Sequence, residues 1–147
     1  MLYQQYVAKK KMLESQNPKG TQNERELWHA IRAKVVSSIN SLGFNRSYCV
    51  ELATKNGEGV DFAVDAGCCA SDTYCKPDSQ GHKRMYLCKV LTGEYTVGQR
   101  GMRVPPAKPG QLSHILYDSV VNDISNPLYF TIFNDTQCYP AYLITFK

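Results

Sequence analysis

The chain has 147 residues, 43% of them hydrophobic and 20% charged, with a formal net charge of +4. That length suits one domain able to bury a core of its own, and the composition is ordinary for a soluble globular protein. The charge excludes an extended basic surface: its only run, Lys9-Lys10-Lys11, reads as a solvated helix face rather than a nucleic-acid contact.

No apolar stretch approaches the length that spans a bilayer, and Met1-Leu2-Tyr3 does not open a signal peptide. A soluble intracellular monomer, cytoplasmic or nuclear, is expected. Six cysteines (Cys49, Cys68, Cys69, Cys75, Cys88, Cys138) are spread without CxxC pairs, which argues against a structural zinc site and against a secreted disulfide scaffold. Cys68 and Cys69 point to opposite faces if extended, so free thiols and no metal are expected.

Leu2, Tyr6 and Leu13 recur at near-helical spacing with lysines between them, so residues 3–14 read as an amphipathic helix that Asn17-Pro18-Lys19-Gly20 stops. Leu27–Ile31 is a short apolar strand carrying His29 near its end. Val35, Val36, Ile39 and Leu42 mark a second helix, which Gly43 ends in the C′ role. From Asn45 to Gly59 the composition turns polar and irregular. Val60, Phe62 and Val64 then alternate with Asp61, Ala63 and Asp65, as in a half-buried strand, so Asp61 shares a face with Ala63. A short helix is expected near Ala70–Tyr74. Arg84–Leu91, Glu94–Val97, Tyr129–Phe133 and Tyr142–Phe146 read as strands, with Pro105–Gly110 as a loop. Strands outnumber helices, and strand–helix–strand spacing is absent, which predicts an α+β domain.

Two motifs carry a resemblance. His29 lies within Glu26-Leu27-Trp28-His29-Ala30-Ile31, and about thirty residues later comes Asn56-Gly57-Glu58-Gly59-Val60-Asp61-Phe62-Ala63. Their order resembles the catalytic domain of the poly(ADP-ribose) polymerase superfamily, where a strand ending in His-Gly-Thr/Ser precedes Gly-Lys-Gly-x-Tyr-Phe-Ala. The likeness runs from Leu2 to Phe146 through Gly43–Tyr48, Ala70–Tyr74, Lys76–Ser79, Val90–Gly93 and Tyr117–Val120, and is nearest to the mono-ADP-ribosyltransferase branch whose longer members carry macrodomains. It implies the diphtheria-toxin-like ADP-ribosyltransferase fold: two packed, mainly antiparallel sheets with a few flanking helices. It also implies one catalytic domain over residues 1–147, with no room for a helical regulatory domain, and a dinucleotide-covering loop at residues 45–59.

The resemblance further implies NAD as substrate, a protein acceptor or partner, and a set of site residues. His29 orients a ribose hydroxyl. Ala30, in place of Gly, offers backbone groups to the nicotinamide carboxamide, though its methyl intrudes where Gly lets a ligand lie flat. Cys69 stands for the serine donor and is only a weak one; Cys68 stands where close relatives carry an aromatic. Tyr74 keeps one of two ring-sandwiching tyrosines, and Asp61 replaces the other, forfeiting stacking of about 1–3 kcal/mol. Arg46 faces the pyrophosphate. Tyr129 occupies the position of the glutamate that permits polymer elongation.

Three functions stay open. One is a mono-ADP-ribosyltransferase with weak or lost activity and weak NAD binding. Another is an inert relative serving as a binding module. The last is a cysteine hydrolase using His29, Asp61, Cys68 and Cys69.

Overall fold

In the computed structural model the described residues are 2–31, 59–69, 77–110 and 115–147. The expected second helix, the 45–58 loop and the stretch Ala70–Tyr74 lie outside them.

The chain opens with helix α1, Leu2–Gln16. Its stop is local: the Asn17 amide closes the last turn on the Leu13 carbonyl at 2.9 Å, and Pro18 cannot continue the helix. Tyr6 and Leu13, two turns apart, are fully buried against Leu91 and packed by Tyr139. Of the lysines between them Lys11 is exposed, while Lys10 is partly buried and pairs with Glu24 at 3.4 Å.

Seven strands follow: β1 Glu24–Ile31, β2 Val60–Ala63, β3 Lys83–Leu91, β4 Tyr95–Val97, β5 Ser119–Val121, β6 Tyr129–Ile132 and β7 Cys138–Phe146. A four-residue helix α2, Ala66–Cys69, follows β2, ahead of the expected position; Asp65 Oδ1 accepts the Gly67 amide at its start. A 3-10 turn at Asp135–Gln137, capped by Asn134, leads into β7.

The strands form one sheet in the order β4-β5-β6-β2-β1-β3-β7, antiparallel except for the parallel pair β4–β5. This corrects the expectation of two packed sheets as far as the described residues go. The reason is a single joint. β1 runs along β3 over its whole length and β2 along β6 over four positions, whereas β1 meets β2 in register only where Trp28 opposes Ala63. Two antiparallel halves, β4-β5-β6-β2 and β1-β3-β7, are thus sewn together at one point.

The main core covers one face: Leu27, Val60, Phe62, Tyr86, Cys88, Val90, Val121, Phe130, Ile132 and Cys138. On that face Arg25 reaches from β1 over the Phe130 and Tyr95 rings, at 5.0 and 5.7 Å, so a cation–π contact helps span the joint. A smaller cluster covers the opposite face, with Ala63 and Met85 at its centre and Trp28, Ala30, Ala66, Tyr129 and Phe146 around it.

A buried polar hub ties α1 to both halves. Asp118 Oδ2 accepts the Asn17 Nδ2 and Glu94 amides, each at 2.9 Å. Gln137 Nε2 donates to the Leu91 and Asp118 carbonyls, and the buried ammonium of Lys108 donates to Glu94 and Asn17. Lys108 is 6% exposed, although it lies in the polar loop predicted at Pro105–Gly110; its charge is tolerated because it is paired. Gly93 adopts φ +52°, and a Cβ there would collide with the Asp118 carboxylate.

Gly59, the second glycine of the Gly57-Glu58-Gly59 motif, has a packing role. A Cβ there would lie 2.5 Å from the Ile132 carbonyl oxygen and 2.8 Å from Thr131 Cγ2, so only glycine lets β2 start this close to β6. Gly59→Ala is expected to destabilise the domain by about 1–3 kcal/mol, read as a lowered denaturation midpoint. An unchanged midpoint would mean that β6 yields without cost.

Candidate functional site

Side-chain alternation decides what meets at the joint. On β1, Leu27 and His29 face the main core while Trp28 and Ala30 face the Ala63–Met85 cluster. On β2, Phe62 faces the core, and Asp61 shares the other face with Ala63, as the sequence predicts. On β6, Ala63 opposes Tyr129 and Asp61 opposes Thr131. Ala30, Asp61, Tyr129 and Thr131 therefore share one face of the sheet, and the His29 ring lies on the other, tilted against Phe62 with centroids 5.3 Å apart. Val64, predicted to continue the apolar face of β2, lies beyond the strand and is exposed; its amide turns to the Leu128 carbonyl instead.

His29 bridges the halves just past the joint. Its Nδ1 lies 2.9 Å from the Asp61 carbonyl oxygen; since a carbonyl only accepts, Nδ1 carries the proton and Nε2 is the acceptor nitrogen. Burial pushes the imidazole down to about 4, opposed in part by this hydrogen bond. The ring is neutral at physiological pH.

Asp61 is shifted the other way. Its Oδ1 accepts the Thr131 hydroxyl, which the register places directly opposite. Burial nevertheless raises the carboxyl to about 7, with the Thr131 bond lowering it in part. Thr131 went unnamed in the sequence reading, although alternation along Tyr129–Phe133 puts it on the same face as Tyr129.

The remaining predicted residues divide. Tyr129 and Ala30 pack around the Ala63–Met85 cluster, so the Ala30 methyl is held by core neighbours. Cys68 and Cys69 end α2, next to β2 in sequence. Arg46 and Tyr74 lie outside the described residues. A hydrolase would need the Asp61 carboxylate on the imidazole; here His29 Nδ1 is bonded to the Asp61 backbone and the carboxyl to Thr131. No described helix is long and apolar enough to cross a membrane.

The two shifted groups are linked through protons. Between about pH 4 and 6.5 the unfolded chain holds one proton on His29 and none on Asp61, while the native chain holds one on Asp61 and none on His29. Equal proton numbers mean that the pair contributes no slope to stability there. Removing one partner exposes the other. Asp61→Asn leaves a histidine with a depressed native value, so stability should gain an upward slope from pH 4 to 6.5. His29→Gln leaves a carboxyl with a raised value, so stability should fall from pH 4 to 7. Each added slope is at most about 1.4 kcal/mol per pH unit. Denaturant melts at several pH values for the parent and both variants check this; two variants sharing the parent's slope would show that neither group is buried.

Comparison with known proteins matches residues 2–115 to the family model "Poly(ADP-ribose) polymerase catalytic domain", which implies the ADP-ribosyltransferase fold. The chain is 44% identical over 146 residues to human "Protein mono-ADP-ribosyltransferase PARP14", covering 99% of this chain and 8% of that protein. It is 38% identical to mouse "Protein mono-ADP-ribosyltransferase PARP10", covering 100% and 15%, and 38% identical to human "Protein mono-ADP-ribosyltransferase PARP12", covering 99% and 20%. The chain thus spans a fifth or less of the length of these three relatives.

Proposed function

The chain belongs to the poly(ADP-ribose) polymerase catalytic-domain family, and from that premise we propose that it is a mono-ADP-ribosyltransferase domain of weak or lost activity. One observation carries the transfer chemistry: relatives named as mono-ADP-ribosyltransferases match it over essentially its whole length. In the reaction the bond between nicotinamide nitrogen and ribose C1′ breaks, its electron pair stays with the ring, and a protein side chain bonds to C1′ and gives up a proton. The transition state has oxocarbenium character, so the protein's work is orientation and charge placement.

Neutral His29, with Nδ1–H committed to the Asp61 carbonyl, has Nε2 as acceptor for a ribose hydroxyl. Tyr129 has no carboxylate with which to polarise a second hydroxyl, so transfer stops at one ADP-ribose. Asp61 supports weak activity: it puts a half-buried carboxyl where the family's pattern puts a stacking tyrosine. A binding module without turnover is the second reading, favoured because Asp61 and Ala30 depart from the pattern while the framework around them stays intact.

Calorimetric titration should find NAD affinity weaker than low-micromolar, and any product should carry single ADP-ribose units. Low-micromolar NAD binding would refute the weak-pocket reading, and polymer ladders on a gel the mono-transfer reading. The triple change Ala30→Gly, Asp61→Tyr and Cys69→Ser should strengthen binding of a nicotinamide-mimicking amide by more than the single effects combined, because the three surround one ligand.

A further inference from the structure

The Asp61 carboxyl is half satisfied. One oxygen takes the Thr131 hydroxyl, and among the described residues no other hydrogen bond and no ion pair reaches it. Among the described residues the elements chiefly packed on β2 are β1, β6 and α2. From β1 come neutral His29, on the opposite face, and Glu26, further along on the same face. From β6 comes the phenol of Tyr129. The α2 segment has only Asp65, spent on the Gly67 amide, and, in sequence, the thiols of Cys68 and Cys69. None is a cation. A carboxyl partly withdrawn from water with no counter-charge among the described residues is an incomplete electrostatic arrangement there, and a ligand that brings a positive charge completes it.

Building on the nicotinamide-site reading, we propose that Asp61 makes this pocket select a positively charged pyridinium ring over a neutral aromatic amide of the same shape. Its second carboxyl oxygen, beside the joint of β1 and β2, is the selecting group. A tyrosine at this position would stack on both rings with a pH-independent cation–π preference for the charged one; an ionised carboxylate adds a preference that depends on its own charge. NAD carries its nicotinamide as a pyridinium. When the glycosidic bond breaks, the electron pair returns to the ring nitrogen, the positive charge passes to the ribose, and the released nicotinamide is neutral. Asp61 therefore grips the ring before transfer and loosens on the product. The same preference stabilises the ground state more than the transition state, which fits weak turnover. Because burial lifts the carboxyl to about 7, the preference switches on as pH rises through neutrality.

The test is a chemical-shift titration, carried to tens of millimolar, of the parent, Asp61→Asn and Asp61→Tyr with 1-methylnicotinamide (a cation), nicotinamide (neutral) and NAD, at pH 5.5 and 8.5. The parent should prefer the cation by on the order of tenfold at pH 8.5, and the ratio should fall towards one at pH 5.5. Asp61→Asn, which keeps the Thr131 contact, and Asp61→Tyr should both show a ratio independent of pH. A parent ratio within twofold at pH 8.5, a switch that persists in Asp61→Asn, or no binding of the cation overturns the inference. NAD binding without charge preference defeats this inference and leaves the transferase reading standing; cation preference without NAD binding does the reverse.

Discussion

The structure turns on the one-position joint between β1 and β2. The pairing on either side is antiparallel apart from β4–β5, and neighbouring strands satisfy each other's backbone groups. At Trp28 and Ala63 the ladder closes once and then opens. An opened ladder leaves backbone groups to be satisfied by something else, and the Asp61 carbonyl finds the His29 imidazole. The divergence of the two strands thus fixes the tautomer of His29.

So thin a joint must be braced elsewhere. Arg25 lies over Phe130 and Tyr95 across the two halves, Phe62 and Val60 interlock with Leu27 and Tyr86 in one core, and the Asp118–Asn17–Lys108 hub fastens α1 and the strand connections. The hub is strong for a reason the joint is not. Its Lys108 is paired with Glu94 and its Asp118 carboxylate accepts two amide hydrogen bonds, whereas Asp61 accepts one hydroxyl among the described residues. Rigid bracing around an unsatisfied carboxyl is the usual pattern of a site that awaits a ligand rather than a part of the scaffold.

Much of this was legible in the residues, and the failures have physical causes. The α1 stripe, the stop at Asn17-Pro18 and the alternation of β2 followed from period and breakers alone. β7 begins at Cys138, four residues before the expected Tyr142, because Pro140 reads as a strand breaker; at the sheet edge, beside the irregularity at Leu87–Cys88, a missing amide costs little. β5 spans only Ser119–Val121, too short to show a period. Lys108 looked like loop surface because nothing local announces that Glu94 and Asn17 converge on it. The single sheet could not be read at all, since one registered pair across an opening seam leaves no pattern in the sequence. Of the site, the face shared by Asp61 and Ala63 was visible from alternation, while the Thr131 partner needed the pairing register.

The His29–Asp61 pair also shows why a remodelled pocket and an intact fold can coexist. Between about pH 4 and 6.5 the native chain holds on aspartate the proton that the unfolded chain holds on histidine, so the cost of burying the two groups stays constant across that range. The cost of the raised Asp61 carboxyl accumulates between about pH 4 and 7, masked up to about 6.5 by the opposite slope of His29, and is complete once Asp61 ionises above neutrality. Cation binding would offset that cost above neutrality, because the ionised form is the one that attracts the ligand. Stability and ligand preference are therefore set by the same protonation, and a substitution that relieves one removes the other.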